Sequence, residues 1–343
     1  MSIIEELLQV IFRACRGIEI STPFKRLSHR KCMEDFGTDR PDLRFGMKLI
    51  DLSDLAAQST FSVFLDQLKE KGIVKGLTVK RGADISRKEI DTYTEFVGRL
   101  GIKGLAWMKM QEGKLTSSIV KFFSEEIQHQ LIARMHIEEG DLIFMVADEA
   151  ARTHQGLDHL RRCLARDRGI IPSDRLEFLW VIDFPLFSWN EEEKRMESEH
   201  HPFTSPHLED LHLLEKDPLS MRSSGYDIVL NGYEIGGGSQ RIHNPDLQQK
   251  IFESLKLTPK ELNSKFGFFI EALSYGTPPH LGIALGLERI LMMVTKTENI
   301  RDVIAFPKTQ KASDLMLQSP SQVALQQLKE LKIAVPISEL SWT

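Results

Sequence analysis

Residues 226–241 (Tyr-Asp-Ile-Val-Leu-Asn-Gly-Tyr-Glu-Ile-Gly-Gly-Gly-Ser-Gln-Arg) constrain this chain more than any other stretch. Two apolar, strand-forming segments meet at Asn231 and Gly232, the strongest short-range hairpin signal a sequence carries. With those two residues in the turn, Leu230 faces Tyr233 and Val229 faces Glu234. Side chains alternate along a strand, so Asp227 shares the face of Val229 and becomes a diagonal neighbour of Glu234, roughly 7 Å away at Cβ. Two carboxylates so placed can share a hard cation such as Mg²⁺, completed by substrate phosphates. The glycines at 236–238 leave the backbone open to a ligand, and Arg241 supplies a rigid fork for a carboxylate or phosphate. Strict alternation sends Arg241 to the opposite face, because it follows Glu234 by an odd number of residues. A bulge within the glycine run would re-aim it. The same residues would serve equally as a surface hairpin with solvated charges.

Composition narrows the class. The chain has 343 residues, 41% hydrophobic and 27% charged, as in a soluble globular protein long enough for two or more domains. A net charge of −5 argues against non-specific nucleic-acid binding through a strongly basic surface, while leaving room for a local patch. Cys15, Cys32 and Cys163 are scattered, without metal-ligand spacing, so neither a disulfide framework nor a zinc site is expected and a reducing cytoplasm is. No apolar run reaches transmembrane length. Ile3, Ile4, Leu7, Leu8, Ile11 and Phe12 recur at helical spacing, so the chain opens in a packed amphipathic helix and not in a signal peptide.

Residues 36–44 are polar and turn-rich. Residues 54–149 then read as a small α+β unit, with strands at 76–80, 104–110 and 141–147 and helices at 60–72, 87–101 and 118–135. Ser86 followed by Glu89 is a capping box. Trp107, Met108 and Met110 read as strand packing. A helix is expected over 149–168, its basic end (Arg161, Arg162, Arg166, Arg168) read as a solvated face. Residues 178–187 are nearly all apolar, as in a strand buried on both faces. Residues 191–199 read as a charged, solvated loop. The histidine cluster at 200–207 reads, on its own, as a rigid proline loop. Near 275–290, Pro278 and Pro279 forbid a helix, 282–285 form a strand, and Leu287, Leu291 and Val294 mark a helical stripe. Gly286 at the join and Arg289 in the first turn make an anion site, or else an apolar turn with a structural arginine.

Taken together, residues 36–44, 180–187, 200–206, 226–244, 275–289 and 299–309 resemble, in order, the C-terminal part of bacterial-type aspartyl-tRNA synthetases, a class II family. The resemblance runs nearly end to end. It implies an α+β fold: the class II antiparallel sheet with flanking helices, incomplete here, carrying a small inserted α+β domain of the kind shared with a tRNA-dependent amidotransferase subunit. Residues 1–53 would be the first catalytic segment, 54–149 the insertion, and 150–343 the second catalytic segment with motif 3. Within motif 3, Gly286, Leu287, Glu288 and Arg289 would line the ATP site, Arg289 on the phosphates. Glu234 would contact ATP and its Mg²⁺, with Asp227 as companion ligand. Arg241 would recognise the side-chain carboxylate of the substrate aspartate. His200 would contact aspartate from a mobile loop beside His201, which reverses the proline-loop reading.

The resemblance further implies a cytoplasmic ligase whose partners are L-aspartate, ATP and tRNA(Asp), with tRNA(Asn) left open, and a homodimer for the intact enzyme with no membrane association. The anticodon-binding barrel, motif 1 and motif 2 with its α-phosphate arginine precede this region in the family and are absent, so the chain is expected to be part of a larger synthetase and inactive alone. The competing expectations are a non-catalytic tRNA- or amidotransferase-binding paralogue and a structural fragment folded around the insertion.

Overall fold

The computed structural model describes residues 1–334. Through them the strands run in chain order as β1 (Lys25–Ser28), β2 (Ile50–Asp51), β3 (Ile73–Val79), β4 (Ala106–Gln111), β5 (Lys114–Thr116), β6 (Leu142–Asp148), β7 (Phe178–Ile182), β8 (Phe187–Asn190), β9 (Arg195–Ser198), β10 (Gly225–Leu230), β11 (Tyr233–Gln240) and β12 (Leu281–Leu285). The chain divides into two units, Met1–Gly286 and Leu287–Thr343.

The first sheet has the order β1-β7-β10-β11-β12. Strands β7 to β12 pair antiparallel, and β1 adds a parallel pair at the β7 edge. Strand β7 is buried on both faces: Leu179, Trp180 and Val181 are all 0% exposed. Leu179 and Val181 pack with Cys32, Phe184 and Val229. Cys32 belongs to the helix His29–Phe36, which Ser28 caps. Trp180 turns the other way and donates from Nε1 to Glu5 Oε1 at 2.8 Å. Glu5 is itself buried in the opening helix Ser2–Arg16, so this bond offsets the desolvation of a carboxylate inside an apolar face. Phe12 of the same helix meets Phe178 edge-on at 5.6 Å. Burial of Leu8 and Phe12 contributes roughly 1.5–3 kcal/mol each. Gly17, at φ 65, ends that helix in the left-handed conformation.

The second sheet, β2-β3-β6-β4-β5, is antiparallel throughout. Along β6, Leu142, Phe144 and Val146 enter a core with Ile90, Tyr93 and Val97, while Ile143 and Met145 enter another with Phe64, Ile127, Leu131 and Met135. Helices cover both faces, which is why β6 reads as a continuous apolar run. The capping box forms: Ser86 Oγ accepts from Glu89 N at 3.3 Å, and Glu89 Oε2 accepts from Ser86 N at 2.7 Å. Met108 and Met110 are core residues, and Trp107 packs under the Arg87 guanidinium 5.3 Å away.

Three local expectations differ from the structure. The helix expected over 118–135 begins at Glu125, because Ser124 caps it and residues 120–122 form a 3-10 turn. Residues 191–199 are not simply a loop: β9 returns along β8, with Phe187 opposite Ser198. Its alternation is masked because Arg195 and Glu197 pair with each other at 2.6 Å while Met196 packs inward. The helix Ala150–Asp167 matches its expected span, but its basic end is not one solvated face. Arg161 adjoins the inward stripe of Leu157, Leu160 and Leu164 and is 0% exposed.

The second unit holds the helix Leu287–Thr295, a 3-10 turn Ile300–Asp302 and the helix Leu325–Glu330. No described helix is long and apolar enough to cross a membrane.

Candidate active site

At its tip the hairpin has the expected register, Leu230 opposite Tyr233 and Val229 opposite Glu234. Asn231 and Gly232 have φ of 52 and 86, the positive values that a tight primed turn requires. The Asn231 side chain anchors the turn, accepting from Glu177 N at 2.8 Å and donating to Arg175 O at 2.9 Å. Beyond Glu234 the register slips, so that Ile228 pairs with Gly236 and Ile235 is the extra residue. The bulge therefore lies just before the glycine run and not inside it. It turns Gly237, Ser239 and Arg241 onto the face of Glu234, and so resolves the parity problem that strict alternation poses.

The glycines are needed for close approach. A Cβ on Gly237 would stand 2.5 Å from Asp227 Oδ1 and 3.6 Å from Glu234 Oε1, so both carboxylates hang over this residue. A Cβ on Gly238 would collide with the Gly282 carbonyl of β12 on the opposite face. Burial, then the Glu234 charge, then the Asp39 charge push the Asp227 carboxyl up to about 7. Asp39, from the 36–44 stretch, is thus a neighbour that the hairpin pattern did not announce. Among the described residues no group of three or more His, Cys, Asp or Glu is arranged to hold a metal; the arrangement is a pair.

Arg241 is fixed by its backbone and its fork. Its N–H donates to His280 O at 2.9 Å, and Thr204 bridges it from the other side. Its Nη1 donates to Ser239 Oγ at 2.7 Å and lies against His201 Nε2. Burial, the Arg241 charge and His200 push the His201 imidazole down to about 4, so it stays neutral and can accept from the guanidinium. His200 is exposed and stands edge-on to Phe184 at 5.0 Å. The histidine that meets Arg241 is therefore His201, through the Thr204 bridge, which no sequence periodicity signals.

Gly286 closes the first unit, donating from its N–H to Ile235 O at 2.9 Å, directly at the bulge. Leu287, Glu288 and Arg289 form the first turn of the helix Leu287–Thr295 in the second unit. The structure thus holds Asp227 and Glu234 together over Gly237 with Asp39 beside them, and sets Arg241, just past the end of β11, with Ser239 and His201.

The sequence pattern of the family described as tRNA synthetases class II (D, K and N) matches residues 1–310. Aspartate--tRNA(Asp/Asn) ligase of Protochlamydia amoebophila (strain UWE25) is 71% identical over 100% of this chain and 57% of its own length. Its counterpart in Chlamydia pneumoniae is 53% identical over 98% of this chain and 57% of its own length. The chain therefore spans a little over half the length of these curated relatives. Among solved structures, aspartyl tRNA synthetase from Entamoeba histolytica is 21% identical and overlaps 70% of this chain and 43% of its own, with a TM-score of 0.31, a similarity too slight to bear on the fold. With a family pattern covering residues 1–310, the chain belongs to the class II tRNA synthetases of the D, K and N group.

Proposed function

We propose that this chain is part of an aspartate–tRNA ligase, which activates L-aspartate with ATP to aspartyl-adenylate and transfers the aspartyl group to tRNA(Asp). The names of the curated relatives, which include both tRNA(Asp) and tRNA(Asn), support tRNA(Asn) as a second acceptor. The reading is supported above all by Arg241, whose Nη1 donates to Ser239 Oγ, a residue that the bulge at Ile235 brings to the face of the Asp227 and Glu234 carboxylates.

In this reading Arg241 binds the side-chain carboxylate of aspartate. A half-buried arginine facing an amide would lose its ionic partner, which discriminates against asparagine. His200 contacts aspartate, and His201 holds the Arg241 fork in place. Glu234 contacts ATP, and Glu234 with Asp227 would hold Mg²⁺. Two carboxylates kept over one glycine, one of them resisting ionisation, fit a cation that substrate phosphates complete. When bound, the ion neutralises phosphate charge. Gly286, Leu287, Glu288 and Arg289 line the ATP site, with Arg289 on the phosphates. Residues 54–149 form an insertion between catalytic segments 1–53 and 150–343, a division supported by β3 to β6 of the second sheet, which β2 (Ile50–Asp51) joins from just before its start. The complete enzyme is a cytoplasmic homodimer.

Amino-acid-dependent ATP–pyrophosphate exchange by the complete ligase containing this chain tests the reading. Aspartate should support exchange about 10³-fold better than asparagine in kcat/KM. Equal rates with the two amino acids would refute it.

A further inference from the structure

The helix Ala150–Asp167 carries a guanidinium shielded from solvent. Arg161 donates from Nε to Met47 O at 3.1 Å, and from Nη2 to Asp42 O at 3.0 Å and Gly46 O at 2.6 Å. The group lies 4.4 Å from the Phe45 ring centroid and 5.1 Å from that of Phe36. Nη1 has no hydrogen-bond partner, and Asp158 Oδ1 stands 3.9 Å from it. Burying a charge on such terms costs several kcal/mol, and a leucine or methionine would fill the volume without that cost. What the arginine adds is direction: one planar fork grips three carbonyls of a single loop.

That loop leads to the hairpin. It begins at Gly37, at φ 75, where a Cβ would collide with the carbonyl of His154 on the same long helix. Further along, the Asp42 carboxylate holds Arg44 at 2.6 Å. The Cβ of Asp42 lies 3.1 Å from where a Cβ on Gly232 would sit. Gly232 is in the turn that joins the strand of Asp227 to the strand of Glu234. Contacts thus run from helix to loop to hairpin tip, all within the first unit. The adjoining stripe of the helix is core of the second sheet, through Leu157, Leu160 and Leu164. Lys75 of β3 adds a parallel tie, donating to Glu34 O at 2.8 Å.

We propose that Arg161 is a positioning residue for the carboxylate hairpin: it seats residues 42–47 against the Asn231 and Gly232 turn, and so makes the second sheet a brace for the site. The functional half of this inference rests on the reading of Asp227 and Glu234 given above; the mechanical half does not.

Hydrogen exchange of the full 343-residue chain tests the mechanical half. In Arg161→Met, residues 38–47 and the turn at 230–234 should exchange about tenfold faster, while β3 and β6 keep their protection. Arg161→Lys, which keeps the charge but cannot span three carbonyls, should fall between. Phe45→Leu, a milder loosening of the same grip, should give the same pattern at lower amplitude and decides the matter if Arg161→Met does not fold. Faster exchange in 38–47 with an unchanged turn would overturn the inference, as would no change in either or a uniform increase along the chain. In the complete ligase, the kcat/KM losses of Arg161→Met and Asp39→Asn in aspartate activation should not multiply, because both act through one loop. Multiplying losses would overturn the functional half. A wild-type ligase inactive toward aspartate would refute the proposed function instead and leave the exchange result standing.

Discussion

Asp227 holds its proton up to about pH 7 because burial, Glu234 and Asp39 all disfavour its charge. Removing that charge should relieve the pair. Asp227→Asn is expected to melt about 2–4 °C higher than wild type at pH 8, and to show none of the rise in Tm with millimolar Mg²⁺ that the proposed cation site predicts for the wild-type chain. Thermal melts with and without Mg²⁺ check both, and an undiminished Mg²⁺ response in the variant would remove Asp227 from the cation site. His154 gives a pH dependence of defined sign. Burial, then the Lys75 charge, push its imidazole down to about 4. The unfolded chain binds that proton near the ordinary value of 6.5, so the contribution is present above it and is lost as pH falls toward 4. His154→Gln should flatten stability between those limits by about 1–2 kcal/mol, read by denaturant melts at pH 7 and pH 4.5; an unchanged pH profile would contradict the cause given. Two arginines mark what was legible at this scale. A bulge after Glu234 could be anticipated because strict parity would turn Arg241 away, although it falls at Ile235 and not within the glycine run. Arg161 could not, since one basic residue among four at a helix end looks solvated until its carbonyl partners, more than a hundred positions earlier, are known.

Elements with their own local signal were legible. The Asn231 and Gly232 turn, the Ser86 capping box and the doubly buried β7 follow from turn chemistry, capping and apolar run length. The hairpin of β8 and β9 did not, because its outward charges hide the alternation of its strands. By sequence, the glycines of β11 read as openness toward a ligand. Their tighter demand is packing, with Gly237 under two carboxylates and Gly238 against β12. Gly238→Ala should therefore break the β11–β12 pairing and lower stability by about 1–3 kcal/mol. Amide exchange across Leu281–Leu285 reports it directly, and wild-type protection there would contradict the contact. At the milder end, Ser86→Ala should cost about 1 kcal/mol through the lost cap, with no effect on the hairpin.

At the scale of the whole molecule, two sheets share one helix, Ala150–Asp167, whose apolar stripe serves the second sheet while Arg161 holds the loop beneath the first. Sequence pattern separates the two sheets readily, because each has its own strands and turns. It is silent on their seating, which depends on backbone carbonyls that every residue possesses. The chain spans 57% of the length of its Protochlamydia relative. We expect the 343-residue chain by itself to give no aspartate-dependent pyrophosphate exchange above background, since the resemblance assigns the α-phosphate arginine to motif 2. Robust exchange would overturn that expectation. The account turns on Arg241 as the group that binds the aspartate side chain, and one measurement bears on it most directly: aspartate-dependent pyrophosphate exchange by the complete ligase carrying Arg241→Ala. A folded variant should lose about 10³-fold or more in kcat/KM, roughly 4 kcal/mol of transition-state stabilisation. A near-wild-type rate would contradict the role assigned to Arg241 and the site built around it.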